Sequence, residues 1–138
     1  MKTDIVIIFN GNCAEALLYY EKVFGAKAQV LRYNESPSFY PKANEYHADD
    51  LIRMATLEIG GTALRLVDIV DDINLQQTEK IIIMITATVK QAKTLYQKMI
   101  ASGAEVYVSP AKRFFSDFNA VAIDKFGIIW SFNGGFKI

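Results

Sequence analysis

Few side chains in this sequence could do chemistry. There is one histidine, His47, and one cysteine, Cys13. A single thiol allows neither an intrachain disulfide nor a cysteine-built zinc site. Cys13 follows Asn12 at the start of an expected helix. The helix dipole there could lower a thiol pKa and activate a nucleophile. The alternative is a small residue at a turn, with no histidine near it in sequence to act as a base. His47 lies in a polar stretch, where a solvated side chain is the ordinary outcome unless the stretch folds over a cavity. Arg65 alternates with Leu64 and Leu66, so it shares a strand face with Ala63 and Val67. A guanidinium on a cavity wall could hold a carboxylate or phosphate in a fork. The alternative is a paired or snorkelling arginine at a rim.

The elements that must position these groups come in two similar series. Ile5 to Phe9 is a β-branched run ended by Asn10-Gly11-Asn12, and reads as a buried strand. A helix follows. Asn12 is the expected N-cap, with Glu15 three residues later as in a capping box, and Gly25 the expected stop. Ala28 to Tyr33 reads as a strand. Asn34 to Asp50, with Pro37 and Pro41, reads as a long loop of the kind that is often functional. Ile52 to Ile59 and Ala63 to Val67 form an antiparallel pair turned by Gly60-Gly61. Residues 69–79 are the expected linker.

The second half repeats the plan. Ile81 to Ile85 reads as a strand. Val89, Ala92, Leu95, Tyr96, Met99 and Ile100 mark an amphipathic helix stopped by Ser102-Gly103. Glu105 to Val108 is a strand ended by Pro110. Lys112 to Asn119 is a polar segment whose Phe114, Phe115 and Phe118 could line a cavity entrance or a dimer seam. Ala120 to Asp124 and Ile128 to Phe132 form a hairpin, with Trp130 and Phe126 expected in the core. Tyr20-Glu21-Lys22-Val23 before Gly25-Ala26 is echoed by Tyr96-Gln97-Lys98-Met99 before Gly103-Ala104. The order of elements supports an internal repeat: one α+β domain over 1–138, with module 1 at about 1–68 and module 2 at about 80–138.

Composition narrows the function. The chain has 138 residues, 51% hydrophobic and 22% charged, an ordinary globular balance. Fifteen basic residues balance fifteen acidic ones, and no Lys/Arg stripe is present. Nucleic acid is therefore not an expected partner. No stretch is apolar and long enough for a signal peptide or membrane span, so a cytoplasmic protein without a membrane partner is expected. A net charge of zero gives little colloidal repulsion, which favours self-association.

Three stretches carry a family resemblance. They are Phe9-Asn10-Gly11-Asn12-Cys13-Ala14-Glu15-Ala16 with Tyr19-Tyr20 and Phe24-Gly25-Ala26; Ala55 to Gly61 with Leu66-Val67-Asp68; and Asp124-Lys125-Phe126-Gly127 with Trp130. Together they resemble the PhnB-like branch of the vicinal oxygen chelate superfamily, which includes glyoxalase I, bleomycin resistance proteins and extradiol dioxygenases. The resemblance implies two βαβββ modules, paired into curled mixed sheets that enclose a cavity, and a homodimer. Branch members often carry a 3-demethylubiquinone methyltransferase-like label. Gly60-Gly61 joins two hairpin strands and is a poor nucleotide-binding turn, so that activity is not expected.

Enzymes of the superfamily hold a divalent metal on His, Gln and Glu, as a Lewis acid for vicinal oxygens. By strand order those positions fall near Ile5 or Ile7, at Arg65, at Ile81 or Ile83, and at Ser131. Arg65 and Ser131 match each other, each four residues beyond its hairpin glycine. None is a good ligand, so no metal and no other cofactor is expected. The branch often has a histidine where this chain has Met54. The expected cavity residues are Arg65, Ser131, Met54, Phe9 and Phe115. The expected function is a non-metal dimer that binds a small organic molecule. The alternatives are a divergent enzyme using Cys13, His47 or Asp68, and a dimeric scaffold without a ligand.

Overall fold

The computed structural model describes residues 1–2, 4–33, 51–68 and 81–137. The expected loop over 34–50, with His47, and the expected linker over 69–79 lie outside the described residues. The chain divides into two compact units, Met1–Leu75 and Gln76–Ile138. Each contains one helix and one four-stranded mixed sheet.

In the first unit the elements run β1 (Ile5–Phe9), α1 (Cys13–Phe24), β2 (Gln29–Arg32), β3 (Ile52–Ile59) and β4 (Thr62–Asp68). The strand order is β1-β4-β3-β2. β1 lies parallel to β4, and β3 is antiparallel to both β4 and β2. The hairpin between β3 and β4 turns at Gly60 and Gly61, with φ of 56° and 83°. Two consecutive left-handed residues suit glycine and match the twist of the strands. Leu64, Leu66 and Asp68 of β4 are buried together with Ala55 and Leu57 of β3. They face α1, whose Ala16, Leu17, Tyr20 and Val23 are also buried. A helix of 12 residues is marginal alone in water, so this burial is what holds it. Each leucine or valine so covered contributes roughly 1.5–3 kcal/mol.

The second unit runs β5 (Ile83–Ala87), α2 (Val89–Ala101), β6 (Glu105–Arg113), β7 (Ser116–Ile123) and β8 (Ile129–Phe136), with strand order β5-β8-β7-β6. β5 is parallel to β8, and β7 is antiparallel to β8 and β6. The two sheets therefore repeat one topology, as the internal repeat requires. Tyr96 of α2 meets the rings of Phe118 and Phe132 edge-on, with centroids 6.2 and 6.0 Å away. Phe118, Ala120, Trp130 and Phe132 thus form the helix-side core of this sheet.

The Asp124-Lys125-Phe126-Gly127 turn is held by one buried carboxylate. Asp124 accepts hydrogen bonds from the backbone of Phe126 at 2.9 Å and of Ile128 at 3.0 Å. Its other oxygen accepts from Trp130 Nε1 at 2.8 Å. The aspartate thus fixes the turn and orients the tryptophan. Trp130 is in the core as expected, whereas Phe126 is only partly covered at the turn.

Further expectations are corrected. β1 is not a buried strand, because only Ile7 and Phe9 are covered while Ile5, Val6 and Ile8 are exposed. Pro110 does not end its strand, because β6 continues to Arg113. β6 is an edge strand whose pairing with β7 shifts register between Val108 and Ala111, and an edge bulge tolerates a missing N–H. Lys112 to Asn119 is consequently no loop. Its middle, Phe114-Phe115, turns a hairpin and Phe118 is core. β5 begins at Ile83 rather than Ile81. Asn12 makes no side-chain cap. Among the described residues no helix is long and apolar enough to cross a membrane.

Candidate functional site

β4 presents Arg65, Ala63 and Val67 on the face turned away from α1, because Leu64 and Leu66 occupy the other. The register sets Val6 of β1 and Thr56 of β3 beside Arg65. Three groups fix the guanidinium. Nε donates to Asp4 Oδ2 at 2.9 Å, and Nη1 donates to Thr56 Oγ1 at 3.0 Å and lies 3.9 Å from Met54 Sδ. No described residue accepts from Nη2. The Arg65 hydrogen bond, aided by the charge of Lys2, holds the Asp4 carboxyl below the usual carboxylate range. Around this cation the face is mixed, since register also puts Gln29, Thr56 and Glu58 on the Arg65 side. Val6, Ile8 and Leu31 are 51%, 43% and 40% exposed, and by register they share the Arg65 side. Arg65 and Met54, both expected at a cavity, are therefore neighbours. Asp4, Thr56 and Val6 join them unforeseen, since only cross-strand register reveals them.

In the second unit Ser131 stands on the face away from α2. Its strand neighbours are Met84 and Val121. It accepts a hydrogen bond from Asn133 Nδ2 at 2.9 Å, and Asn119 Nδ2 donates to Asn133 Oδ1 at 2.9 Å. Neither asparagine stands out in the sequence as a site residue. The signal was the i, i+2 spacing of Ser131 and Asn133, which puts both on one face.

The remaining candidates lie elsewhere. Phe9 is buried on the α1 side, as the register partner of Asp68, and does not share a face with Arg65. Phe115 sits at the β6–β7 turn, with ring centroids 5.2 Å from Phe114 and 6.3 Å from Phe136. Cys13 is buried. Burial, reinforced by the charge of Asp68, pushes its thiol well up, the opposite direction to the activation expected at a helix start. Asp68 is committed to architecture: its carboxylate accepts from the backbone N–H of Cys13 and of Ile52, both at 3.0 Å.

The metal positions can now be assigned by register. Beside Arg65 stands Val6, not Ile5 or Ile7; beside Ser131 stands Met84, not Ile81 or Ile83. A valine, a methionine, a serine and a cation do not make a set of oxygen or imidazole donors. Among the described residues no three His, Cys, Asp or Glu side chains gather. These residues do not fit a divalent metal.

Comparison with known proteins agrees with this topology. The profile of the Glyoxalase/Bleomycin resistance protein/Dioxygenase superfamily matches residues 2–132. Protein PA1353 from Pseudomonas aeruginosa superposes with a TM-score of 0.78 at 26% identity, over 96% of this chain and 98% of that one. A putative 3-demethylubiquinone-9 3-methyltransferase, the PhnB protein from Bacillus cereus, gives 0.73 at 21% identity, over 96% and 98%. The fosfomycin resistance protein FosX from Mesorhizobium loti gives 0.65 at 10% identity, over 98% and 91%. No curated protein sequence matches the chain.

Proposed function

Because this chain belongs to the glyoxalase/bleomycin resistance protein/dioxygenase superfamily, we propose that it is a PhnB-like, non-metal member that binds a small organic molecule as a homodimer. The observation that carries this reading is Arg65. It is a half-buried cation beside exposed Val6, Ile8 and Leu31, held by Asp4 and Thr56, and no described residue accepts from its Nη2. An apolar surface with a few placed polar groups is the usual make-up of a small-molecule site. The ligand is an apolar molecule with a carboxylate or similar anion, which the guanidinium would hold by charge-assisted hydrogen bonds. The zero net charge supports self-association.

The test is a thermal-shift and calorimetric screen of aromatic and aliphatic carboxylic acids. Charge-assisted hydrogen bonds contribute about 1.5–3 kcal/mol, so Arg65→Ala should weaken any hit roughly 10- to 100-fold. Arg65→Lys keeps the charge but loses the fork, and should recover only part of the affinity. Hits that bind Arg65→Ala as well as the parent would remove the basis of the proposal, as would a varied acid library without a hit. Metal analysis of protein purified without chelators should find no stoichiometric Ni, Zn or Mn. Sedimentation equilibrium should give twice the 15.5 kDa chain mass.

A further inference from the structure

The thioether of Met54 sits against the Arg65 guanidinium. Its Sδ lies 3.9 Å from Nη1, which also donates to Thr56 Oγ1 at 3.0 Å. Met54 and Thr56 are two residues apart on β3, and Thr56 is the register partner of Arg65. The strand ladder therefore keeps the sulfur beside the cation, while Asp4 holds Nε. A thioether sulfur accepts only weakly, so Nη1 is loosely engaged on that side. Oxidation would change this. A sulfoxide is polar, and its oxygen is a far better acceptor than the sulfur it replaces. That oxygen would lie one S–O bond from the sulfur and roughly 2.9 Å from Nη1. A bent path of those two lengths spans the observed 3.9 Å, so the strands need not move. Met54 is half-buried, within reach of a small oxidant. Met99 is sealed in the core, and Met84, 46% exposed, has Ser131 rather than a cation as its register partner.

We propose that Met54 is a site of reversible oxidation by hydroperoxides, and that its sulfoxide switches off anion binding at Arg65. This rests on the reading of Arg65 as a carboxylate-binding group and adds its regulation. The sulfur lone pair attacks the outer peroxide oxygen. An S–O bond forms as the O–O bond breaks, so the sulfur loses two electrons and the peroxide gains them. The proton on the transferred oxygen passes to the departing one, which leaves as water, or as an alcohol from an alkyl hydroperoxide. The sulfoxide oxygen then accepts a charge-assisted hydrogen bond from Nη1. With Nε on Asp4, an incoming carboxylate has only the Nη1–Nη2 edge for a two-point fork. Nη1 carries two hydrogens, and Thr56 already takes one. The sulfoxide takes the second, which leaves the carboxylate one hydrogen bond in place of two. A methionine sulfoxide reductase restores the thioether, with two thiols becoming a disulfide and the oxygen leaving as water.

The test measures binding of 2-naphthoate, or of the best acid from the screen, before and after hydrogen peroxide treatment. Peptide mass spectrometry identifies the oxidised methionines. Loss of one charge-assisted hydrogen bond predicts roughly 10- to 100-fold weaker binding by the oxidised chain. Methionine sulfoxide reductase with dithiothreitol should restore the affinity. Met54→Leu keeps the bulk without the sulfur, and should bind the acid equally before and after peroxide. Equal binding by the oxidised and reduced parent overturns the switch and leaves the acid-binding reading standing. A loss in peroxide-treated Met54→Leu as large as in the parent also overturns it, since another methionine is then responsible. So does peroxide that oxidises Met84 and spares Met54. If the reduced parent binds no acid at all, the acid-binding reading fails and the regulatory role falls with it. The Arg65 guanidinium ¹⁵N signals, assigned by their loss in Arg65→Lys, separate the two failures. A shift on oxidation that is absent in Met54→Leu supports the sulfoxide contact, and unmoved signals overturn it.

Discussion

The two units start their helices in different ways, although they share one topology. Arg65 and Ser131 occupy matching places on β4 and β8, and three residues farther along stand Asp68 and Gly134. In the first unit β1 ends at Phe9 and three residues intervene before α1. The helix start is then reached by a side chain, Asp68, whose carboxylate takes the Cys13 N–H. In the second unit only Thr88 separates β5 from α2. The sheet and helix backbones come so close that a Cβ on Gly134 would lie 2.5 Å from Val89 Cα. No carboxylate fits there, and α2 is capped locally. Thr88 Oγ1 accepts from Gln91 N at 3.1 Å, and the Gln91 side chain accepts from Thr88 N at 3.3 Å. A two-residue difference in a turn thus moves the cap from a residue distant in sequence to one at the helix itself.

Substitutions should break this comparison in a definite order. Asp68→Ala strands two buried backbone donors, at about 1–3 kcal/mol each, and should cost on the order of 2–6 kcal/mol in chemical denaturation. Gly134→Ala drives a methyl into the α2 backbone. It should cost roughly 1–3 kcal/mol, whereas alanine at the open position Gly11 meets no neighbouring atom and adds only the strain of its positive φ. Thr88→Ala removes a working cap and should cost about 1 kcal/mol, while Asn12→Ala, with no cap bond to lose, should stay within a few tenths. If Asn12→Ala proved as costly as Thr88→Ala, the division between distant and local capping would fail.

The smallest effect concerns pH. Asp4 has a folded pKa below its unfolded one, so its pairing with Arg65 stabilises the fold above the unfolded value. That contribution is lost as pH falls through the depressed folded value, below the ordinary aspartate range near 4. A carboxyl NMR titration should place Asp4 lower in the parent than in Arg65→Ala. An unchanged midpoint would show that Arg65 does not hold Asp4 in solution.

Much of the fold was legible because its signals are local. The Ile5 to Phe9 run, the three-and-four spacing from Val89 to Ile100 and the glycine pair at 60–61 each name an element without outside help. The misreadings share one cause, which is dependence on distant partners. Asn12 looked like a cap because the true acceptor lies 55 residues away from Cys13. Pro110 looked like a stop because edge position is a property of the sheet. Phe9 was expected at the cavity and instead lies on the α1 side, since a continuous apolar run has no alternation to read. Of the site, Arg65 was legible from its contrast with its neighbours. The pairing of Asn119 with Asn133 was not, because a polar pair across two strands has no signature along either.

Asp68 has a further consequence, for kinetics. Its carboxylate and carbonyl together meet partners 55, 16 and 35 residues distant: Cys13, Ile52 and Tyr33, whose hydroxyl donates to the Asp68 carbonyl at 2.6 Å. Closing loops of several lengths on one residue is entropically costly, and that cost is met only when most of the unit is already assembled. The junction should therefore form after the rate-limiting barrier. Removing it should leave the folding limb of the chevron nearly unmoved and steepen the loss of native protein through faster unfolding, making Asp68 a latch on the finished fold rather than a seed for it.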